Sequence, residues 1–244
     1  MVVHADEKVA KGAFELEDLV SDSRDTQHSR RFVEGKHLAR WFSSETKWLE
    51  WGTARAPHMF RRKTFPELYE VSEKIFIHRT GGAGLRSSCD DQKTLCNHTV
   101  IVCLPWSSLE GVRNKSIKKA ARYRDEKPPR PDLPKREELE ATSRRFAMKY
   151  LLGVMNSASA RDFLRANRRS NTDLYPDDWK KLPISDVSAA QQKPIVTLVD
   201  QILTFKRANR TADISALETQ LDAAVAKLYG LTPEEIAIVE GTAK

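Results

Sequence analysis

The sequence is poor in cysteine and has no long apolar run. Its three cysteines, Cys89, Cys96 and Cys103, form no CxxC pair, which is typical of reduced thiols in an intracellular protein. Cys103 lies in the apolar run TVIVCLPW, which favours a small buried thiol, although zinc ligation by the three cysteines with His98 is an alternative.

No apolar stretch approaches the roughly 20 residues that cross a bilayer, and MVVHADEKVAKG is too polar for a signal peptide. We therefore expect a cytoplasmic protein without a membrane segment.

Motifs for catalysis and for cofactor binding are missing as well. The chain has no Asn-Pro-Pro loop to receive a flipped base and no GxSxG nucleophile motif. Its glycine cluster, RTGGAGLRSS, lacks the residues that complete a phosphate cradle, which favours a flexible turn over a loop that closely approaches DNA. Asp125, Glu126 and Lys127 match only a fragment of the metal-dependent nuclease pattern. His78, in EKIFIHRT, is interpreted as a strand histidine. The sequence therefore predicts no catalytic residues, bound cofactor or metal in this chain.

The charge is positive and concentrated in one region. Forty-one Lys and Arg against 34 Asp and Glu give a formal charge of +7, which favours a polyanionic partner. The segment from Arg113 to Arg136 contains ten basic and three acidic residues, a local excess equal to that of the whole chain. Its four prolines, at positions 128, 129, 131 and 134, prevent a continuous helix. This segment is interpreted either as a solvated linker or as an arm that binds a nucleic-acid backbone.

Short strand-like runs come first in the chain and helices follow. The runs RRFVEGKHLARWF, KWLEWG, EKIFIHRT and HTVIVCLPW are rich in aromatic and β-branched residues and end at turn signals. They predict an α+β fold with a small, mostly antiparallel sheet, flanking helices and a C-terminal helical hairpin. We divide the chain into a leading segment at 1–30, a main domain at 31–187 that contains the basic proline-rich region 107–135, and the hairpin at 188–244.

The hairpin prediction depends on apolar spacing and on capping residues. From Ser188 one helix carries an apolar side formed by Ile195, Leu198, Val199, Ile202 and Phe205. A second helix follows the break ANRTAD. Gly230 is then predicted to cap that helix, and Thr232 with Glu235 is predicted to form a capping box for a final short helix.

The stretch from Lys149 to Ile184, KYLLGVMNSASARDFLRANRRSNTDLYPDDWKKLPI, combines a predicted buried helix, a basic polar loop and a return to the core. It resembles the target-recognition domain of TaqI-like and type IIG restriction-modification enzymes, which are related to type I specificity subunits. In that family a "yLLglLNS" helix leads through a variable loop to a "lkklPI" segment. FVEGKHLARW, KWLEW, ELYEVSEKIFIHRT and the C-terminal LYGLTPEEI resemble further family segments in the same order.

The resemblance implies a non-catalytic domain that recognises a sequence in double-stranded DNA. It also implies an associated adenine-specific (N6) methyltransferase domain or subunit, which would supply S-adenosylmethionine and the chemistry. The alternative is a protein-interaction module that docks a partner through its C-terminal helices. Sequence-dependent binding of duplex DNA would discriminate between these two functions.

Family position and loop context suggest the DNA-binding residues, because Arg suits guanine, Asn suits adenine, and Lys and Arg suit phosphates. The base-edge candidates are Arg61, Arg62, Arg79, Arg86, Arg168, Arg169 and Asn171. The phosphate candidates are Lys118, Lys119, Arg122 and Arg124. We expect charge reversal at Arg168 and Arg169 to abolish site preference and to leave the fold intact.

Overall fold

The chain divides into two compact units. The computed structural model describes residues 17–53, 67–79, 85–113, 134–239 and 241. Unit 1 comprises Met1–His37, Glu45–Lys74 and Asp90–Arg144, and unit 2 comprises Leu38–Ser44, Ile75–Cys89 and Arg145–Lys244. Helices and small sheets occur together, so the predicted α+β class is confirmed. The domain boundaries drawn at residues 30 and 187 stay a prediction.

The elements follow one another with strands first. The strands are β1 (Val20–Ser21), β2 (His28–Val33), β3 (Lys47–Glu50), β4 (Lys74–His78), β5 (Ser87–Asp90), β6 (Leu95–Cys96) and β7 (Val100–Cys103). The α-helices are α1 (Glu67–Glu70), α2 (Arg136–Ser143), α3 (Met148–Asn156), α4 (Ala158–Asn167), α5 (Pro176–Trp179), α6 (Ala189–Ala208), α7 (Ser215–Tyr229) and α8 (Pro233–Val239). Short 3-10 helices cover Glu17–Leu19, Gly35–His37 and Trp106–Leu109. No helix among the described residues is both long and apolar enough to cross a membrane.

A four-stranded sheet forms the centre of unit 1. The strand order is β1-β3-β2-β6, with β3 antiparallel to both neighbours and β6 parallel to β2. Phe32 pairs with Leu95 in register, and both are about 1% exposed, as expected for a sheet with one face in the core. The predicted strand RRFVEGKHLARWF is too long, because β2 ends at Val33 and a 3-10 helix follows. Trp41 then adopts φ +75°, a left-handed conformation outside the β region, so a regular strand does not continue through it.

Helices dominate unit 2, where α3 packs closely against α6. A Cβ atom at Gly153 would lie 2.6 Å from Ile195 Cγ2, so only glycine allows this approach of the two backbones. Val199 and Leu221 line the same contact and are fully buried. Tyr150 is also fully buried, and its hydroxyl donates to the Ser185 carbonyl at 2.9 Å. The predicted buried helix around KYLLGVMNS is therefore confirmed.

The predicted C-terminal hairpin is confirmed together with its caps. Ser188 accepts from the Gln191 N–H at the start of α6, and Gly230 ends α7 at φ +67°. Thr232 and Glu235 exchange the two hydrogen bonds of a capping box before α8. One position was wrong: Phe205 is 54% exposed, and Leu203, 7% exposed, takes the buried place on α6. The buried stripe therefore continues through Ile195, Val199, Ile202 and Leu203 at spacings of four, seven and eight residues, and Phe205 lies off it.

Candidate nucleic-acid interface

A polar loop in unit 2 connects α4 to α5. It begins at Arg168, which follows the last residue of α4, and its first turn is held by the Ser170 hydroxyl. That oxygen accepts from the N–H groups of Thr172 at 3.2 Å and Asp173 at 3.3 Å. Leu174, only 6% exposed, then returns the chain to the core. The loop therefore has a defined shape, and we call residues 168–175 the variable loop.

A backbone hydrogen bond joins the variable loop to the end of β4. The Leu174 N–H donates to the Arg79 carbonyl at 2.9 Å. His78, the last residue of β4, donates its N–H to the Arg86 carbonyl at 3.0 Å. This bond holds together the two chain segments on either side of residues 80–84. Arg79, directly after β4, and Arg86, directly before β5, are therefore brought to the same part of unit 2 as the predicted residues of the variable loop.

Two arginines pack against one tyrosine of this loop. The Cζ atoms of Arg79 and Arg169 lie 5.0 and 5.2 Å from the centre of the Tyr175 ring. Arg79 Nη2 also lies 3.5 Å from an oxygen of Asp173. Stacking and ion pairing together restrict the rotamers of both guanidinium groups. The Arg79 side chain is about one-third exposed, so part of it stays accessible to a ligand.

Arg169 also has a structural role. Its Nε donates to Asp178 Oδ1 at 3.2 Å, and its Nη2 lies 3.5 Å from Asp177. Asp178 is 1% exposed, and its other oxygen accepts from the Tyr175 N–H at 2.8 Å, which caps α5. A buried carboxylate needs such partners, because an unpaired charge in the interior is costly. Charge reversal at Arg169 would therefore place a third carboxylate beside Asp177 and Asp178, and the expectation that the fold stays intact does not extend to this residue.

The other three predicted residues of this region have unengaged side chains. Those of Arg86, Arg168 and Asn171 form no hydrogen bond or ion pair with any residue that the structure describes. Arg86 and Asn171 are exposed, and Arg168 is partly exposed. Their donors and acceptors are therefore available to a ligand without breaking an internal contact.

Three buried polar atoms beside this surface also have no partner within the described ranges. They are His78 Nδ1, Arg79 Nε and Trp179 Nε1. Burial, with a further contribution from the charge of Arg86, lowers the pKa of His78, while Asp173 opposes the shift. The imidazole is therefore neutral at pH 7 and presents one donor and one acceptor. Together with the arginines, this surface offers mainly hydrogen-bond donors, which suit phosphate oxygens and the acceptors on guanine.

Sequence reasoning missed the buried residues that hold the start of β5 in place, next to Arg86. Asn156, at the end of α3, bonds with its side chain to both backbone groups of Ser87 on β5. The Ser87 carbonyl also accepts from the Trp41 N–H at 2.9 Å, and Trp41 Nε1 donates to Glu218 on α7 at 2.6 Å. The signal in the sequence was a polar residue, Asn156, at the end of an apolar helix, but its partner lies 69 residues away.

Six of the predicted DNA-binding residues lie outside the described residues. These are Arg61, Arg62, Lys118, Lys119, Arg122 and Arg124. The glycine cluster at 81–84 and most of the proline-rich region 107–135 also lie there.

The structure also bears on the cysteines. Burial raises the pKa of Cys96 and of Cys103 to about 11, which keeps both thiols protonated at neutral pH. No group of three or more His, Cys, Asp or Glu side chains among the described residues could hold a metal ion. Cys103, at the end of β7, is only partly buried, so the expectation of a buried thiol there is met only in part.

No family model matches the chain, and no curated protein matches it. Among solved structures, the fold is similar to that of the type IIL restriction-modification enzyme MmeI, solved in complex with DNA, with a TM-score of 0.52 and 12% sequence identity. The similarity covers 99% of this chain and 33% of the MmeI chain. This chain therefore spans about a third of that enzyme's length, and at this identity the likeness concerns the fold alone. It agrees with the broad resemblance to restriction-modification enzymes, while the narrower TaqI-like assignment stays a prediction.

Proposed function

We propose that this chain recognises a specific sequence in double-stranded DNA, as the target-recognition part of a restriction-modification enzyme. The observation that carries the proposal is the Leu174 to Arg79 hydrogen bond, because it joins the variable loop to the end of β4. Through it, five predicted DNA-binding residues from two distant parts of the sequence belong to one surface of unit 2. The fold likeness to an enzyme solved with DNA supports the same proposal.

The surface combines the two kinds of side chain that sequence recognition requires. Arg79 is restricted by Tyr175 and Asp173, and restricted donors favour one base over another. Arg86, Arg168 and Asn171 are unengaged within the described residues and would supply further contacts to phosphates and base edges. Arg169 would act mainly by holding the variable loop against α5, because both of its described ion pairs are with α5 residues, Asp177 and Asp178.

The catalytic partner is a further part of the proposal. The family resemblance implies an adenine-specific methyltransferase domain or subunit that binds S-adenosylmethionine. This chain spans only about a third of the MmeI chain, which leaves room for such a part in a complete enzyme of that kind. In this account the present chain contributes selection of the target and no chemistry.

Partner docking is the second candidate function, and it has its own observation. Phe205 on α6 is 54% exposed and Ile238 on α8 is 58% exposed, both large apolar side chains. Helix α8 buries none of its residues. Contiguous exposed apolar patches mark protein-interaction sites, and these two side chains are the candidates to contribute to one.

Selection of duplexes from a randomised library tests the proposal. The purified chain is incubated at about 150 mM salt, where contacts that depend on charge alone are weakened. Enrichment of one short motif is the expected result. Retention of duplexes without any enriched motif, with or without an added methyltransferase subunit, would favour the docking function.

A further inference from the structure

A second basic surface lies in unit 1, on the four-stranded sheet. Trp48 sits on the central strand β3, paired in register with Ser21 on β1 and Arg31 on β2. The Cζ atoms of Arg31 and Arg24 lie 5.0 and 5.3 Å from the Trp48 ring centre. Two guanidinium groups therefore share one indole ring. We call Arg24, Trp48 and Arg31 the tryptophan cluster.

The sheet geometry explains why this cluster faces outward. Residues that pair across antiparallel strands project from the same face, so Arg31 and Trp48 share a face. The following residues, Phe32 and Leu49, project from the opposite face and are at most 1% exposed. Trp48 and Arg31 are only partly buried, and Arg24 is exposed. The cluster therefore lies on the accessible face of the sheet.

Nearby carboxylates do not neutralise the two arginines. Asp22 and Glu45 both pair with Lys47, the latter at 2.6 Å. Asp25 accepts from the backbone and ring of His28, with the ring contact at 2.8 Å. Within the described ranges, Arg24 and Arg31 form no ion pair. Since no described carboxylate is ion-paired to either arginine, both guanidinium groups keep donors for a ligand.

The chemistry of a stacked arginine indicates what these charges would bind. Stacking uses the flat face of a guanidinium, while its N–H donors lie in the plane and stay available for a bidentate contact with phosphate. Because each Cζ lies within 5.3 Å of the same ring centre, the two are at most about 10 Å apart. Duplex DNA carries one charge per roughly 1.7 Å of axis, so a backbone crossing the cluster would offer phosphates to both arginines.

We propose that the tryptophan cluster of Arg24, Trp48 and Arg31 is a DNA-backbone contact, at which the two stacked guanidinium groups each bind a phosphate. The inference rests on the proposed DNA-recognition function and adds residues that neither loop context nor resemblance singled out. The contact adds affinity and no sequence information, because phosphates are the same at every base pair.

The salt dependence of DNA binding tests this contact directly. The dissociation constant for a labelled duplex is measured between about 50 and 200 mM salt for the unaltered chain and for R24Q/R31Q. The control is K193Q/K227Q, which removes two exposed charges from α6 and α7. Each lost phosphate contact reduces the steepness of log K against log salt by about 0.9. The slope for R24Q/R31Q is therefore expected to be less steep by about 1.8 than that of the unaltered chain. The control is expected to keep the slope of the unaltered chain.

The outcomes separate this inference from the proposed function. A reduced slope in R24Q/R31Q, with the same preferred motif in duplex selection, supports the backbone contact. An unchanged slope together with an unchanged motif overturns the contact and leaves the recognition function standing. Absence of DNA binding by the unaltered chain overturns both. If R24Q/R31Q unfolds early in a thermal melt, R24Q alone replaces it, because Arg24 is exposed. The slope for R24Q is expected to be less steep by about 0.9.

Discussion

The side-chain amide of Asn156 bonds to both backbone groups of Ser87. Asn156 Oδ1 accepts from the Ser87 N–H at 3.3 Å, and Nδ2 donates to the Ser87 carbonyl at 3.0 Å. Asn156 is 2% exposed and Ser87 is fully buried, so water cannot replace either bond. The pair fixes the end of α3 to the first residue of β5, directly after Arg86. The position of a predicted DNA contact therefore depends on an amide far from it in sequence.

Replacing Asn156 by alanine is expected to destabilise unit 2. The Ser87 N–H would lose its partner in a buried site, at a cost of about 1–3 kcal/mol in the free energy of unfolding. Urea denaturation measures the change. Asn167→Ala is the control, because the Asn167 side chain bonds on an exposed surface to Phe163 within its own helix, and its loss should cost less than about 0.5 kcal/mol. Equal effects of the two substitutions would contradict the role given to Asn156.

Arg168 and Arg169 are neighbours in sequence with different expected roles. Arg169→Gln removes the charged partner of buried Asp178, so we expect the free energy of unfolding to fall by about 1–3 kcal/mol. Arg168→Gln breaks no described side-chain contact and should change it by less than about 0.5 kcal/mol while weakening DNA binding. Urea denaturation and duplex binding of the two variants decide this. The assignment fails if Arg168→Gln is the more destabilising of the two.

The sequence was sufficient for the three C-terminal helices, α6 to α8, and for their caps. Ser188, Gly230 and Thr232 are local signals, because each acts on residues within one turn of itself. The end of strand β2 at Val33 was less predictable. FVEGKHLARWF has strand-forming residues, yet the left-handed conformation of Trp41 is set by distant contacts, among them the hydrogen bond from its indole to Glu218.

Gly153 permits the close contact of α3 with α6, and alanine there is expected to disturb it. The new Cβ would lie 2.6 Å from Ile195 Cγ2 and 3.0 Å from Val199 Cγ2. Overpacking of this kind costs about 1–3 kcal/mol, partly offset by a gain of up to about 1 kcal/mol in helix propensity. Thermal unfolding of Gly153→Ala should show a lower midpoint. A double-mutant cycle with Ile195→Ala should show that the two costs are less than additive, and strict additivity would contradict the contact.

His78 makes stability depend on pH in a definite direction. Burial and the charge of Arg86 lower the pKa of the folded form below its ordinary value of 6.5. The unfolded chain therefore binds more protons near that pH, and this contribution to stability is complete above pH 6.5 and is lost as the pH falls toward the lowered pKa. The free energy of unfolding should fall below pH 6.5 in the unaltered chain and less so in His78→Gln. Parallel curves for the two proteins would contradict the prediction.

The candidate site was predictable in its residue types and not in its internal contacts. Position in a polar loop was enough to single out Arg168, Arg169 and Asn171. The ion pair from Arg169 to buried Asp178 was not apparent, since a charged pair nine residues apart has many other arrangements. The stacking of Arg31 on Trp48 depends on strand register, which becomes definite only when β2 and β3 are paired.

The most direct test of sequence recognition is the ratio of affinities for a selected duplex and a scrambled duplex of the same composition. The variant R86Q/R168Q/N171A changes three side chains that have no described internal partner, so its thermal unfolding should match that of the unaltered chain. Each specific base contact is worth about 1–3 kcal/mol, so the ratio should fall by about fivefold or more if at least one is lost. K193Q/K227Q should keep the ratio. A ratio that stays the same in R86Q/R168Q/N171A would contradict the central claim that this surface reads the DNA sequence.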